Sequence, residues 1–188
     1  MTVINLHSIL WKSKANGPGL RTVLWFQGCS LGCTGCFNPL MHPFDPVNLY
    51  NPTDLAHQII IQSADADGIT ISGGEPLQQR EGLLELIEVI SRESNLSIIL
   101  FSGYDKTEIE QTDQGECILD LTDVLIAGRY NHQLQIGSHL CGSTNKKIHF
   151  LSNRFKISDF DLIPGFEIII KPNAEVVLSG IKDFKLSR

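Results

Sequence analysis

The 188-residue sequence predicts an α/β fold, a mainly parallel sheet arranged as a partial (β/α) barrel and followed by a C-terminal β-hairpin. Three observations predict it. Short apolar segments alternate with segments of helical periodicity, the pattern of βαβ units. The apolar segments lack polar alternation, which suits strands buried on both faces. The chain is also too short for the eight βα units of a closed barrel, which take about 250 residues.

The elements follow in chain order. Residues 3–10 read as an early strand, and Asn16-Gly17-Pro18-Gly19 is a turn by composition. Residues 20–27, rich in Val, Leu, Trp and Phe, form a second strand. A loop follows, with Gly28, Gly32 and Gly35 keeping its backbone free. Pro39, Pro43, Pro46 and Pro52 exclude long regular structure before Thr53, which caps a helix over 54–64. A short strand over 68–72 ends in Gly73-Gly74. The helix over 77–93 carries Leu83, Leu84, Leu86, Ile87 and Ile90 along one stripe. Residues 97–101 and 124–127 are buried strands, separated by one or two helices. Strands over 147–151, 167–171 and 175–178 complete the chain, with Pro172-Asn173 as the turn of the final hairpin.

The chain reads as one domain, 1–188, with 165–188 as a hairpin extension. It is 42% hydrophobic, which excludes a disordered polymer. No apolar run approaches the roughly 18 residues that cross a bilayer. No basic cap with an apolar stretch opens the sequence, so no secretory leader is expected and the expected compartment is the cytoplasm. A net charge of −6 and a pI near 5.4 argue against nucleic-acid binding through a basic surface. Between Asp105 and Asp123 stand seven acids and one base. A solvated helix face explains this run, and a surface that steers a basic partner is the sharper alternative.

Cys29, Cys33 and Cys36 have the spacing C-x3-C-x2-C on a glycine-bearing loop. Three thiolates on so short a loop can converge on a soft metal centre. Structural zinc asks for a fourth ligand, and the nearest candidate, His42, is hemmed in by Pro39 and Pro43. A [4Fe-4S] cluster held by three cysteines leaves one iron open to bind and activate a ligand. Unliganded thiols are the third possibility. Cys117 and Cys141 stand alone and read as plain thiols. His7, His132, His139 and His149 have no spacing that suggests a second metal site.

Three further motifs end strands at the same edge of the sheet. Ser72-Gly73-Gly74-Glu75-Pro76 permits close backbone approach to a ligand, although a plain strand-to-helix turn would look the same. Ser102-Gly103-Tyr104 and Ala127-Gly128-Arg129-Tyr130 close the next two strands. Gly142-Ser143-Thr144-Asn145 reads as a tight turn entering a strand, with no chemical role of its own.

The cysteine spacing resembles the signature of the radical S-adenosylmethionine (SAM) superfamily. Asn16-Gly17-Pro18-Gly19-x-Arg21, Leu24-Trp25-Phe26-Gln27-Gly28-Cys29 and Cys36-Phe37-Asn38-Pro39 resemble its activating-enzyme branch, whose members act on glycyl-radical enzymes. The likeness spans about residues 5–150. It implies that Cys29, Cys33 and Cys36 hold a [4Fe-4S] cluster, with Gly35, Phe37 and Asn38 completing the cofactor loop. It further implies that Gly73, Gly74, Glu75 and Pro76 contact the methionine amino group of SAM, and that Ser102 faces its ribose or carboxylate. A side chain at Gly74 is then expected to block SAM and leave the cluster intact. Relatives carry Asp-Gly and a base where this chain has Ala127-Gly128-Arg129. Arg129 is expected to clamp the SAM carboxylate, the alternative being a surface salt bridge to the acidic run.

The implied activity is reductive cleavage of SAM to methionine and a 5′-deoxyadenosyl radical, which abstracts hydrogen from a protein or peptide substrate such as a glycyl-radical enzyme. Flavodoxin or ferredoxin is the implied electron donor. Modification of a peptide or small metabolite is the alternative within the superfamily. A non-catalytic iron–sulfur or zinc protein is the alternative outside it.

Overall fold

The computed structural model describes residues 2–138, 140–171 and 173–181. His139 and Pro172, and positions 182–188 of the expected extension, lie outside the described residues. In chain order the elements are β1 (Ile4–Ser13), β2 (Arg21–Phe26), β3 (Asn48–Tyr50), α1 (Pro52–Gln62), β4 (Gly68–Gly73), α2 (Arg80–Glu93), β5 (Ser97–Phe101), α3 (Lys106–Glu110), α4 (Gly115–Asp120), β6 (Val124–Ala127), β7 (Gln135–Ser138), β8 (Cys141–Ser143), β9 (Lys147–Phe150), β10 (Phe166–Ile170) and β11 (Val176–Gly180). Seven strands form one sheet in the order β3-β1-β2-β4-β5-β6-β9. Neighbours from β2 to β6 run parallel, as expected for βαβ units. The flanking strands β1, β3 and β9 run antiparallel to their neighbours, so the sheet is mixed. The outer strands β3 and β9 do not pair with each other, and the sheet is open.

The two faces of the parallel strands carry different chemistry. Leu24, Phe26, Ile69, Ile71, Ile98, Leu100 and Leu125 point into one core with Leu55, Ile59, Leu83 and Leu86 of α1 and α2. Each such side chain contributes about 1.5–3 kcal/mol when taken out of water. The other face buries Ile99, Val124 and Ile126 against Leu140 and Phe160. On β4 that second face is polar, with Thr70 and Ser72, and a cavity opens above it.

Local capping corrects one expectation. Asn51, not Thr53, caps α1: its side chain accepts the amide of Asp54 at 3.0 Å, and Pro52 takes the first helical position. Proline there costs nothing, because the missing N–H has no intrahelical partner. The Thr53 hydroxyl instead donates to Glu85 of α2 at 2.8 Å. A short 3-10 turn, Pro76–Gln79, precedes α2. Strands β3, β7 and β8 went unpredicted, since three or four residues carry no periodicity to read. The segment 142–145 holds the end of β8 and the turn into β9.

Arg21 locks the far edge of the sheet. It is fully buried at the start of β2. Its guanidinium donates to the hydroxyls of Thr70 and Ser97 and to the carbonyls of Pro18, Ile69 and Ser97. Burial pushes its pKa down to about 9, with Asp123 and Asp67 opposing the shift. The hairpin β10–β11 docks beside this edge. Glu167 accepts from the Ser13 hydroxyl and, at 2.9 Å, from the Lys14 amide, and Asn16 donates to Ser179 at 2.7 Å. No described helix is long and apolar enough to cross a membrane.

Candidate active site

The three cysteines follow the end of β2. There Gly28 adopts φ +101, and a side chain on it would strike the ring of Phe44. The loop is pinned from outside, with Gly28 N donating to Met41 O at 2.8 Å and Cys29 N to His42 O at 3.0 Å. Cys29, Cys33 and Cys36 are all free and partly exposed. They line one cavity of about 520 Å³. Burial pushes the Cys29 thiol up, against a backbone hydrogen bond from Leu31. The amide of Asn38 points at Cys36 Sγ at 3.4 Å. Among the described residues, no three His, Cys, Asp or Glu side chains converge on the position of a single metal ion. Zinc therefore has no ready-made site, whereas a four-iron cluster asks for one thiolate at each of three corners. The soft donors, their shared cavity and the amide near Cys36 fit a [4Fe-4S] cluster.

The Gly-Gly-Glu-Pro turn interlocks with this loop. Gly74 N donates to Phe26 O at 2.8 Å and Glu75 N to Gly28 O at 2.9 Å. A Cβ on Gly74 would lie 2.3 Å from the Gly28 carbonyl oxygen and 2.8 Å from that of Met41. Gly73, Gly74 and Glu75 line the cavity, and Pro76 is buried behind them. Glu75 is fully buried. Its carboxylate accepts the amides of Leu77 at 3.0 Å and Gly103 at 2.7 Å, and the Ser102 hydroxyl at 3.0 Å. Burial pushes its pKa up, and these three donors and the charge of Lys146 oppose that shift. One carboxylate thus ties the end of β4 to the end of β5. The Ser102 hydroxyl, expected at the cofactor, is engaged with Glu75 and also accepts the Tyr104 amide at 2.9 Å.

Other expected residues sit at different distances from the chemistry. Asn38 lines the cavity and donates to the Gly73 carbonyl at 3.3 Å. Phe37 also lines it and packs on Tyr130, with ring centroids 4.5 Å apart. Gly35 and Gly128 are turn residues outside the cavity lining, at φ +70 and +112. Arg129 is not in the lining either. It pairs with Glu108, donates to the Gly103 carbonyl at 3.2 Å and lies over the Tyr104 ring. Its surface salt bridge was the alternative expectation, and the acidic run supplies the partner. Ala127 points into the helix-side core, where a carboxylate would be buried among apolar groups. Lining residues assigned no role of their own from the sequence include Trp25, Thr70, Ser72 and Lys146, together with Val177–Ile181. Alternation along β4 could have flagged Thr70 and Ser72. The two adjacent lysines after segment 142–145 were the one sign of Lys146.

Three thiols beside a glycine turn at the carboxyl edge of parallel strands are the donors and the place that an iron–sulfur enzyme site would use. A family model described as a 4Fe-4S single cluster domain matches residues 15–149. The anaerobic ribonucleoside-triphosphate reductase-activating protein of Haemophilus influenzae is 33% identical over 150 residues, covering 76% of this chain and 92% of that protein. Its Vibrio cholerae counterpart is 29% identical over 154 residues, covering 78% and 97%. The pyruvate formate-lyase-activating enzyme of Clostridium pasteurianum is 30% identical over 135 residues, and the matched region spans about half that protein (52%). The chain belongs to the activating-enzyme branch of the radical SAM superfamily, with the anaerobic ribonucleoside-triphosphate reductase-activating proteins. Its cofactors are a [4Fe-4S] cluster and SAM. The family match ends at residue 149, so the β10–β11 hairpin lies beyond it.

Proposed function

We propose that this enzyme activates a glycyl-radical enzyme of the anaerobic ribonucleotide reductase kind by abstracting hydrogen from a backbone glycine. The single observation that carries the reading is the convergence of the thiol loop, the Gly-Gly-Glu turn and Ser102 on one cavity, in a chain that matches reductase activators over nearly their whole length. When bound, the cluster and SAM supply the organic radical that removes the hydrogen atom. The chain's own residues do the rest. Cys29, Cys33 and Cys36 hold the cluster. The turn at Gly73 and Gly74 brings backbone within reach of the cofactor, and Glu75 keeps that turn in register with Ser102 and Gly103. Trp25, Phe101 and Leu140 wall the cavity with apolar surface and exclude water from a reactive intermediate.

The sheet curves as a partial barrel around this cavity, and the whole of 1–188 acts as one catalytic domain with the hairpin as its extension. The electron donor is a flavodoxin or ferredoxin, and the compartment is the cytoplasm. Asp113, Glu116 and Asp120, exposed and in no ion pair among the described residues, offer a surface that steers the protein partner.

The test is anaerobic reconstitution with iron and sulfide, then SAM and dithionite, with and without purified anaerobic reductase. Production of 5′-deoxyadenosine together with a glycyl-radical signal on the reductase supports the reading. Absence of 5′-deoxyadenosine would return the chain to the non-catalytic class. A second reading, a peptide or small-metabolite substrate, is favoured by the hairpin residues Val177–Ile181 in the cavity wall. It is supported if deoxyadenosine forms and no reductase radical does.

A further inference from the structure

The cation expected for the SAM carboxylate is engaged elsewhere. Arg129 pairs with Glu108, stacks on Tyr104 and stands outside the cavity lining. A different cation does line the cavity. Lys146 follows the turn between β8 and β9, its amide held by the Ser143 carbonyl at 3.1 Å. Asn145 ties that turn to the Arg129 carbonyl at 2.8 Å. Lys146 Nζ then reaches back to the Gly128 carbonyl at 2.6 Å and the Ser102 carbonyl at 3.4 Å.

An ammonium has three N–H donors, so two carbonyls leave one unused. Among the described residues, no carboxylate lies within ion-pair distance of Lys146. Glu75 is the charge that most favours the Lys146 ammonium, from beyond ion-pair distance, and the Glu75 oxygens already take two amides and a hydroxyl. Cys141, Cys33 and Cys36 are its other electrostatic neighbours. Burial destabilises this charge, and a partly buried cation without a pair is costly unless an anion joins it. The cavity that Lys146 lines also contains the thiols and the Gly-Gly-Glu turn, so the anion that completes it is one carried by the cofactor.

We propose that Lys146 holds the α-carboxylate of SAM, taking the position expected of Arg129, and that segment 142–145 exists to present it. This rests on the SAM-dependent reading above. The assignment gives the turn between β8 and β9 its role: it carries a charge into the cavity from an antiparallel strand outside the parallel core.

The test compares two ligands on reconstituted protein under anaerobic equilibrium: SAM, and decarboxylated SAM, which keeps the sulfonium and amine and lacks the carboxylate. Lys146→Gln keeps a donor for the two carbonyls and removes the charge. Its affinity for SAM should fall about 10- to 100-fold, the range for one charged hydrogen bond. Its affinity for decarboxylated SAM should change by less than about threefold, a small part of one such bond. Lys146→Arg, which keeps the charge, should retain most of the wild-type preference for SAM. Iron content and melting temperature of each variant report whether it folds and loads. Equal losses for both ligands overturn the proposal and make Lys146 a brace between loops. So does a preference for SAM that survives in Lys146→Gln and collapses in Arg129→Ala. Wild-type protein that binds neither ligand overturns the SAM-dependent reading itself, and the inference with it.

Discussion

Replacing Arg21 with methionine sets two large effects against each other. The guanidinium makes five hydrogen bonds inside the protein. At roughly 1.5–3 kcal/mol for each bond to a charged group, the set is worth about 7–15 kcal/mol gross. Against this stands the cost of burying the charge. A pKa lowered from 12.5 to about 9 corresponds to ~5 kcal/mol at 1.36 kcal/mol per unit. Removal of the charge recovers that cost and leaves the Thr70 and Ser97 hydroxyls and three carbonyls short of a donor. The balance favours the arginine, by about 4 kcal/mol once the usual ceiling for single substitutions is respected. For a chain of this size that lowers the melting temperature by on the order of 10 °C. Arg21→Lys keeps the charge with three donors in place of five and should fall between the two. Thermal unfolding of the three proteins, followed anaerobically by circular dichroism, measures the order. A methionine variant as stable as wild type would refute the reasoning, because it would mean that desolvation outweighs the bonds. Cluster loading below the melting temperature should be the same in all three, since Arg21 sits at the edge of the sheet opposite the thiols.

Alanine at Cys29, Cys33 or Cys36 should abolish the brown chromophore and cut iron content, whereas Cys117→Ala and Cys141→Ala should keep both. Gly74→Val should lose cluster as well as SAM binding, contrary to the loss of SAM alone that the motif suggested, because its Cβ meets the Gly28 carbonyl at 2.3 Å; iron analysis of the purified variant decides. Glu75→Gln turns one acceptor into a donor facing buried N–H and O–H groups, and should cost about 2–4 kcal/mol in chemical denaturation. Neutralising Asp113, Glu116 and Asp120 should slow reductase-dependent turnover at low salt and leave SAM cleavage without partner unchanged; equal rates at all salt concentrations would remove the steering surface.

Legibility in the sequence followed the range of the forces involved. Strands β5 and β6 have the bounds expected of them, because an uninterrupted apolar run has no other way to be satisfied inside a sheet. The thiol loop was readable because three like ligands on eight residues have few bland explanations. Arg129 and Lys146 were not separable by sequence. Both are cations beside glycine-bearing turns, and only tertiary packing puts Glu108 within reach of one and a cavity around the other. The Gly74 contact was hidden for the same reason: it joins two loops 46 positions apart, Gly28 and Gly74. The antiparallel strands β7 and β8 hold few residues each and owe their pairing to the segments they bring together.

The hairpin gives the cavity walls of two provenances. The residues expected to hold the cluster and meet the cofactor all lie before residue 150, and the stretch the family model matches ends at 149. Val177, Leu178 and Ser179 close the space from the strand pair that follows it. What enters and how tightly it fits therefore depends in part on strands outside the matched stretch. An engineer can use the same division, recasting those strands to admit a different guest without disturbing a single ligand of the metal.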